Sequence, residues 1–267
     1  ANNEPLRDII LWLDKRTVDP NGAMPAKNMM LFKVAGMEPT AKVVYAASVG
    51  NWIMRHEPEI WARTAKYVML PTYLNYKLTG NLIDSASNQI GHIPFDYKNR
   101  RWMKPGSLTR CFCDVPNEKL CDLVPSGTVI GTVTDEVCAL TGIPAGLPLI
   151  STGSDKGCET LGLAVVDSDK ASISLGTTAT IQFSTTEYVE PQQFLPAYPG
   201  VLNDHYNPEI EIYRGLWLLS WFVKEFGTAD AIDAKEKGIA PEALLDERIR
   251  DLPAGSDGLL LQPYWTA

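Results

Sequence analysis

The chain has 267 residues, and its 45% hydrophobic content predicts a globular protein with one large domain or two smaller ones. Its formal net charge is -8, so most of its surface would repel a nucleic acid backbone or an anionic membrane. The longest apolar stretch, around residues 216–223, is far shorter than the roughly 20 residues that a spanning helix needs, and the residues after Ala1 are not typical of a signal peptide. We therefore expect a cytosolic protein without nucleic acid or membrane partners.

The first half of the sequence predicts helices separated by short strands. Residues 41–55 are apolar at helical spacing, and a helix over 71–78 is expected to end at Gly80. Alternating apolar residues predict a strand at 93–97. A capping threonine followed by two acids predicts a short helix over 134–141. This helix would lie just before the first stretch that contains a candidate catalytic residue.

That stretch places an acidic residue, Asp155, in a tight turn. Residues 147–151 predict a short buried strand, 152–155 a turn, and 156–165 a helix whose small residues allow close packing. Asp155 therefore lies at the start of a helix. Two interpretations are open: Asp155 is an ordinary helix cap, because Asp is favoured at that position, or it is a carboxylate that faces a reacting hydroxyl.

A predicted hairpin follows this helix. Residues 171–175 and 179–183 alternate as strands do, and Gly176, Thr177 and Thr178 form the turn between them. In such a turn, backbone N–H groups and a threonine hydroxyl can converge on a phosphate oxygen, although most turns of this composition bind nothing. The acidic turn just upstream favours the phosphate interpretation.

The polar residues 166–170 are expected to separate two lobes, 1–166 and 167–267. The candidate site would then lie in the cleft between the lobes. Beyond the boundary the sequence predicts a proline-rich connection over 191–208 and an apolar helix over 215–226. A helix that begins at Pro241 and a strand over 258–262 are expected to follow.

The cysteines and histidines form no recognisable metal or nucleophile pattern. Five cysteines are an odd number without the spacing of a disulfide framework, which indicates reduced thiols. Cys111, Cys113 and Cys121 could in principle hold zinc, but the usual Cys-x-x-Cys pair is absent and no histidine is near them. The histidines are scattered, at His56, His92 and His205. The sequence therefore predicts no protein-bound metal and no catalytic triad.

Two motifs in this order, Thr152-Gly-Ser-Asp155 and Gly176-Thr-Thr178, resemble the FGGY family of carbohydrate kinases. Other stretches similar to the family span 10–17, 57–63, 73–80, 131–134, 141–146 and 252–259. The resemblance implies an α/β fold of the two-lobed, actin-like ATPase type, which is ribonuclease-H-like. The family's opening Asp-x-Gly-Thr loop and its closing adenosine site are not matched. We therefore expect a kinase that is incomplete at both ends and inactive on its own.

The resemblance implies ATP-dependent phosphorylation of a sugar or polyol hydroxyl, with Mg2+ accompanying the ATP. Matched position by position, Asp155 corresponds to the family's catalytic base. Gly176, Thr177 and Thr178 correspond to a turn that contacts the ATP phosphates. A carboxylate suffices as the base because phosphoryl transfer has a loose transition state, in which alignment matters more than base strength. The resemblance also allows a homodimer.

Three further residues correspond to the family's substrate pocket. Trp12 matches a tryptophan that lines the polyol pocket in glycerol kinases, and Met37 begins a segment similar to the family's first signature. Lys156 follows the base, where relatives often place an amide. An ammonium beside the acceptor hydroxyl would favour a sugar acid or another anionic sugar. Alternatively, Lys156 points to solvent or pairs with Asp155 or Glu159.

Two other kinds of function stay open. A non-catalytic member of the actin-like superfamily would close on a sugar or nucleotide without transferring phosphate, and ligand-induced stabilisation without ADP release would identify it. A glycosidase would need a second carboxylate roughly 5 to 10 Å from Asp155. Glu159, one helical turn later, is the near candidate in the sequence.

Overall fold

Helices make up most of the chain before residue 80. The computed structural model describes residues 4–11, 14–176, 178–192, 195–212 and 214–261. Trp12 and Thr177, both selected by the sequence analysis, lie outside these ranges. The first helices are α1 (Ala26–Val34), α2 (Glu38–Ala47), α3 (Val49–His56), α4 (Pro58–Arg63) and α5 (Leu70–Thr79). Apolar side chains of α1 and α2 pack with residues outside the helices in a core cluster formed by Val18, Met24, Phe32, Ala41, Tyr45 and Phe112.

Ser48 divides the predicted helix over 41–55 into α2 and α3. Its backbone is extended, and its hydroxyl accepts a hydrogen bond from Asn51 N at 3.5 Å, which caps α3. The same hydroxyl donates to His92 O at 3.3 Å. A local serine cap and a contact with a distant residue therefore both support the break. α5 ends as predicted at Gly80, where φ is 80°.

Short strands and one helix form the middle of the chain: β1 (Ile83–Ser85), β2 (Phe95–Asp96), β3 (Arg101–Trp102), β4 (Asp122–Val124), β5 (Val129–Thr132), α6 (Asp135–Thr141) and β6 (Pro148–Ile150). β1 is parallel to β4, whereas the β2–β3 and β5–β6 pairs are antiparallel. α6 matches the prediction, with Thr134 as its cap and Gly142 at its end. The strand predicted at 93–97 is shorter in the structure, where it comprises only β2.

β6 is less buried than the sequence predicts. Ile150 is 44% exposed, and Pro148 is exposed as well. Among the described residues β6 pairs with β5 alone, in a two-stranded sheet. An antiparallel sheet of two strands can leave one face open to solvent, so the prediction of a buried strand is wrong.

The chain continues through α7 (Asp155–Gly162), β7 (Ala171–Leu175), β8 (Ala179–Phe183), β9 (Tyr198–Pro199), β10 (Tyr206–Asn207) and β11 (Glu209–Ile212). Strands β11, β8 and β7 form an antiparallel sheet in that order, and β9 pairs separately with β10. The predicted hairpin is confirmed, because Leu175 at the end of β7 pairs with Ala179 at the start of β8. Three helices follow, α8 (Trp217–Glu225), α9 (Thr228–Lys237) and α10 (Pro241–Ile249), and α10 begins at the predicted proline.

The described part of the predicted strand over 258–262 forms no strand. A 3-10 turn spans Ser256–Gly258, and residues 259–261 have no regular structure. The backbone is left-handed at Gly255, with φ 87°, and at Gly258, with φ 86°. Glycine allows this conformation, which is incompatible with a strand that begins at Gly258.

α7 packs on the sheet through polar side chains. Thr160 Oγ1 lies 2.9 Å from Ser172 Oγ of β7 and donates to Gln182 Oε1 of β8. The opposite face of the sheet carries an exposed row of isoleucines, at Ile173, Ile181 and Ile210. The polar contacts fix α7, and therefore Asp155 at its start, relative to the hairpin.

Contacts also cross the predicted lobe boundary. Ser87 Oγ donates to Gly200 O at 2.7 Å, and the Tyr206 hydroxyl donates to Lys98 O at 2.6 Å. The boundary near residue 166 stays a prediction. Across the described ranges, no helix has both the length and the apolar character that crossing a membrane requires.

Candidate active site

Asp155 is the first residue of α7 and does not cap it. The cap is Ser154, whose Oγ accepts a hydrogen bond from Gly157 N at 3.1 Å. Within the described part of the chain, the Asp155 carboxylate accepts a hydrogen bond from Lys156 N at 2.7 Å and no other. The interpretation of Asp155 as an ordinary helix cap is therefore wrong. Its carboxylate is exposed and available to a ligand.

Removing the cap and removing the carboxylate should affect stability differently. Ser154→Ala is expected to lower the free energy of unfolding by about 1 kcal/mol, because the Gly157 N–H loses its acceptor. Asp155→Asn should lower it clearly less, since this side chain caps nothing. Urea denaturation of both variants measures the difference. A larger loss in Asp155→Asn than in Ser154→Ala would restore the capping interpretation.

A cavity of about 250 Å³ opens beside Asp155. Its walls come from α5, from the polar segment that ends β1, and from the turn that follows β6. The lining residues are Pro71, Asn75, Asp84, Asn88, Ile150, Ser151, Thr152, Gly153 and Asp155. Pockets for drug-sized ligands begin at roughly 300 Å³, so this cleft suits a small ligand.

Asp84 lies at the buried end of the cleft, with 3% of its surface exposed. Its carboxylate accepts hydrogen bonds from Thr72 Oγ1 at 2.6 Å, Ser85 N at 2.7 Å and Asn88 Nδ2 at 3.1 Å. The Cys121 thiol lies 4.0 Å from Thr72 Oγ1. Burial raises the pKa of the Cys121 thiol to about 11, and the Asp84 carboxylate acts in the same direction. The thiol is therefore protonated and uncharged at neutral pH.

The turn that carries Asp155 is held by its neighbours in the fold. Ser126 Oγ donates to Thr152 O at 2.9 Å, and Ser154 N donates to Ser87 O at 3.0 Å. A Cβ on Gly153 would lie 2.7 Å from Val201 Cγ2. A larger side chain there would have to displace Val201, so glycine allows this close packing and supports a defined position for the turn that carries Asp155.

Lys156 connects α7 to the hairpin. Its Nζ lies 2.9 Å from Glu159 Oε2 and 2.8 Å from Ser174 Oγ of β7. This is the pairing with Glu159 that the sequence left open as an alternative. This contact holds the start of α7 against β7 at Ser174, which lies two residues before Gly176. A role of Lys156 as a substrate ligand stays a prediction.

Glu209, at the start of β11, lies within electrostatic reach of Asp155. Burial raises the pKa of the Glu209 carboxyl, the charges of Glu211 and Asp155 raise it further, and Lys156 opposes them. Gln182 Nε2 donates to Glu209 Oε2 at 3.2 Å. Sequence reasoning missed Glu209, because only the pairing of β11 with β8 brings it near α7.

The predicted phosphate turn is closed by backbone hydrogen bonds. Gly176 N donates to Thr178 O at 2.9 Å, and Leu216 N donates to Gly176 O at 3.0 Å. A Cβ on Gly215 would lie 2.5 Å from Thr178 O. The residues before α8 therefore pack directly against the backbone of this turn. The remaining member of the turn, Thr177, is outside the described residues.

Among the other predicted residues, Met37 does not line the cleft. Met37 packs against the core cluster of the helical region, and Trp12 lies outside the described residues. The cysteines are free thiols. In the part of the chain that the structure describes, no group of three or more His, Cys, Asp or Glu side chains could hold a metal ion.

Sequence reasoning also missed the polar wall of the cleft, which consists of Asn75, Asp84 and Asn88. One signal could have indicated it: the mostly polar run 84–88 directly follows the apolar residues 82 and 83. Polar residues at the end of a buried strand often mark a site. The contribution of Asn75 from α5 has no such signal.

A comparison with sequence families gives a match over residues 1–162 to the FGGY family of carbohydrate kinases, N-terminal domain. The uncharacterized sugar kinase YgcE of Escherichia coli is 31% identical over 194 residues, which are 72% of this chain and 39% of that protein. The xylulose kinase of Lactococcus lactis is 25% identical over 276 residues, which are 98% of this chain and 50% of that protein. The chain thus spans about half the length, or less, of these curated relatives.

Solved structures share the fold. The xylulose kinase from Rhodospirillum rubrum matches with a TM-score of 0.68 at 21% identity, covering 93% of this chain and 53% of that chain. The gluconate kinase from Lactobacillus acidophilus also matches with a TM-score of 0.68 at 21% identity, covering 89% of this chain and 48% of that one. The predicted α/β fold of the actin-like ATPase type is confirmed.

Proposed function

Because this chain belongs to the FGGY family of carbohydrate kinases, we propose that the complete protein transfers the γ-phosphate of ATP to a hydroxyl of a sugar or polyol. One observation carries the proposal: Asp155 lines a small polar cleft, and the adjacent Lys156 contacts Ser174 just before the Gly176–Thr178 turn. A carboxylate and a candidate phosphate turn are thereby brought to one region of the molecule.

Asp155 acts as the base in this proposal. Its carboxylate accepts the proton of the acceptor hydroxyl as the new O–P bond forms. Because the transition state of phosphoryl transfer is loose, the main contribution of Asp155 is to align the hydroxyl oxygen with the γ-phosphate. The position of the turn, held by Ser87, Ser126 and the close packing of Gly153, supports this role.

The nucleotide phosphates contact the Gly176–Thr178 turn in this proposal. The Gly176 N–H already donates within the turn, so the Thr177 and Thr178 hydroxyls are the better candidate donors. Mg2+ would enter with the ATP, since it is usually held by phosphates, water and one or two carboxylates. Bound Mg2+ would be held mainly by the phosphates and water, and it would neutralise charge on the phosphates.

Turnover of the complete protein tests the proposed function. We expect ADP release that depends on Mg2+, on ATP and on at least one member of a panel of polyols, ketoses and sugar acids. Thermal stabilisation is measured with the same panel. Stabilisation by a sugar without any ADP release would instead identify a non-catalytic actin-like binding protein.

A further inference from the structure

We infer that Glu209 is a positioning residue for the proposed phosphoryl transfer. Its carboxylate acts through Gln182 and Thr160 to hold α7, and with it the base, against the sheet that carries the candidate phosphate turn. The inference rests on the proposed function, because the base and the turn have their roles only in that reaction. It adds a residue that does not line the cleft.

Three hydrogen-bonded side chains join β11 to α7 across β8. Gln182 Nε2 of β8 donates to Glu209 Oε2 of β11 at 3.2 Å, and Thr160 Oγ1 of α7 donates to Gln182 Oε1. Gln182 and Thr160 are buried, with 4% and 2% of their surface exposed. In such a network each member needs its partner, because an unpaired polar group is costly away from water. The network therefore holds α7 at a defined position on the sheet.

The charge of Glu209 sets the direction of these hydrogen bonds. An ionised carboxylate only accepts hydrogen bonds, so the amide of Gln182 must turn its NH2 group to Glu209 and its oxygen to Thr160. A protonated Glu209 can also donate, and then the reversed amide is allowed as well. Only the ionised form therefore keeps the hydroxyl of Thr160 directed at β8.

A second contact shows why the position of α7 matters for the reaction. Near the start of the helix, Lys156 Nζ lies 2.8 Å from Ser174 Oγ of β7, and β7 leads directly to the candidate phosphate turn. α7 is thus attached to one sheet at two points, directly after the base and five residues after it. A shift of Thr160 on β8 would move Asp155 relative to the turn, and displacements near 1 Å can cost about a hundredfold in rate.

The surroundings of Glu209 make its ionised form costly for stability. The charged groups that face it among the described residues are Glu211 on its own strand and Asp155 and Lys156 on α7, whereas β7 and β8 have no ionisable side chain. Burial raises the pKa of Glu209, the two acids raise it further, and Lys156 and the hydrogen bond from Gln182 oppose them. A carboxyl with a raised pKa stabilises the fold at low pH, and this contribution is lost as the pH rises through its folded-state pKa. The form that positions α7 is therefore the less stable one.

Glu209→Gln in the complete protein tests the inference, because the variant keeps the shape and removes the charge that fixes the amide. We expect kcat to fall by about tenfold or more, with KM for the sugar within a few fold, since the base is misaligned while the cleft is intact. The midpoint of urea unfolding at neutral pH should stay the same or rise, because the cost of ionisation is gone. A merely structural residue would lose activity and stability together. Unchanged kcat in Glu209→Gln would overturn the inference.

Glu211→Gln is the matched control. Glu211 lies on the same face of β11 two residues later and is exposed, so the variant removes an equal charge without breaking the hydrogen bonds to α7. We expect kcat at neutral pH to stay unchanged. In the unmodified protein, activity should be lost as the pH falls through the pKa of Glu209, and Glu211→Gln should move this loss to lower pH, because Glu211 raises that pKa. An equal loss of kcat in both variants would show that charge alone is responsible, which would overturn the inference.

Two further measurements test the route through α7. In a Gln182→Met background, Glu209→Gln should have no further effect on kcat, because the link is already absent. A further loss in the double variant would overturn this route. Hydrogen exchange of α7 should be faster in Glu209→Gln and unchanged in Glu211→Gln.

The exchange measurement also separates this inference from the proposed function, because it needs no turnover. Unchanged protection of α7 in Glu209→Gln would overturn the inference whether or not the protein transfers phosphate. The absence of transfer by the unmodified protein would count against the proposed function instead. If Gln182→Met does not fold, the exchange data and the Glu211→Gln control still decide the question.

Discussion

Asp155→Asn is expected to reduce phosphoryl transfer by the complete protein by about a hundred- to ten-thousandfold, the range for loss of a positioned base. Sugar affinity should stay within a few fold, because asparagine can still form a hydrogen bond with the acceptor hydroxyl. Steady-state kinetics give the change in kcat, and calorimetry gives the affinity. The result separates a role in the chemical step from a role in binding.

The chain offers a matched control for this variant. Asp135 is the first residue of α6, directly after the cap Thr134, as Asp155 is the first residue of α7 after Ser154. Asp135→Asn removes the same charge from the same position of a helix outside the cleft. We expect it to leave kcat unchanged. Near-normal turnover in Asp155→Asn would show that the base is a different residue.

Gly215→Ala is expected to lower kcat/KM for ATP by about a hundredfold, because displacements near 1 Å at a site can cost that much. A Cβ at this position would overlap Gly176 O and lie 2.5 Å from Thr178 O. These are backbone atoms, so the turn itself must move. The candidate donors to the ATP phosphates would move with it.

A second glycine provides the control. Gly162 ends α7, and a Cβ there would meet nothing within 4 Å. Gly162→Ala therefore adds a methyl group at the far end of α7 without displacing the backbone, and we expect kcat/KM for ATP to match the unmodified protein. If Gly215→Ala behaves in the same way, the Gly176–Thr178 turn does not bind the nucleotide.

Local patterns in the sequence determined many of the elements that carry the site. The hairpin of β7 and β8, the end of α5 at Gly80 and the capped helix α6 agree with the structure. Each depends on residues within a few positions of one another, through alternation, capping or the left-handed conformation of glycine. The motifs around Asp155 and Gly176 are also local patterns, so the family could be recognised from the sequence.

The tertiary structure alone decided what surrounds Asp155. Lys156 contacts Ser174 on a neighbouring strand, and Ser87 and Ser126 hold the turn that carries Asp155. The cleft brings Asn75 from a helix to Asp84 and Asn88 at the end of a strand. Hydrogen bonds and close packing join residues that are far apart in sequence, so no window of the chain contains both partners. The sequence by itself therefore determined the family and the local elements, whereas the packing of those elements decided which side chains face the substrate.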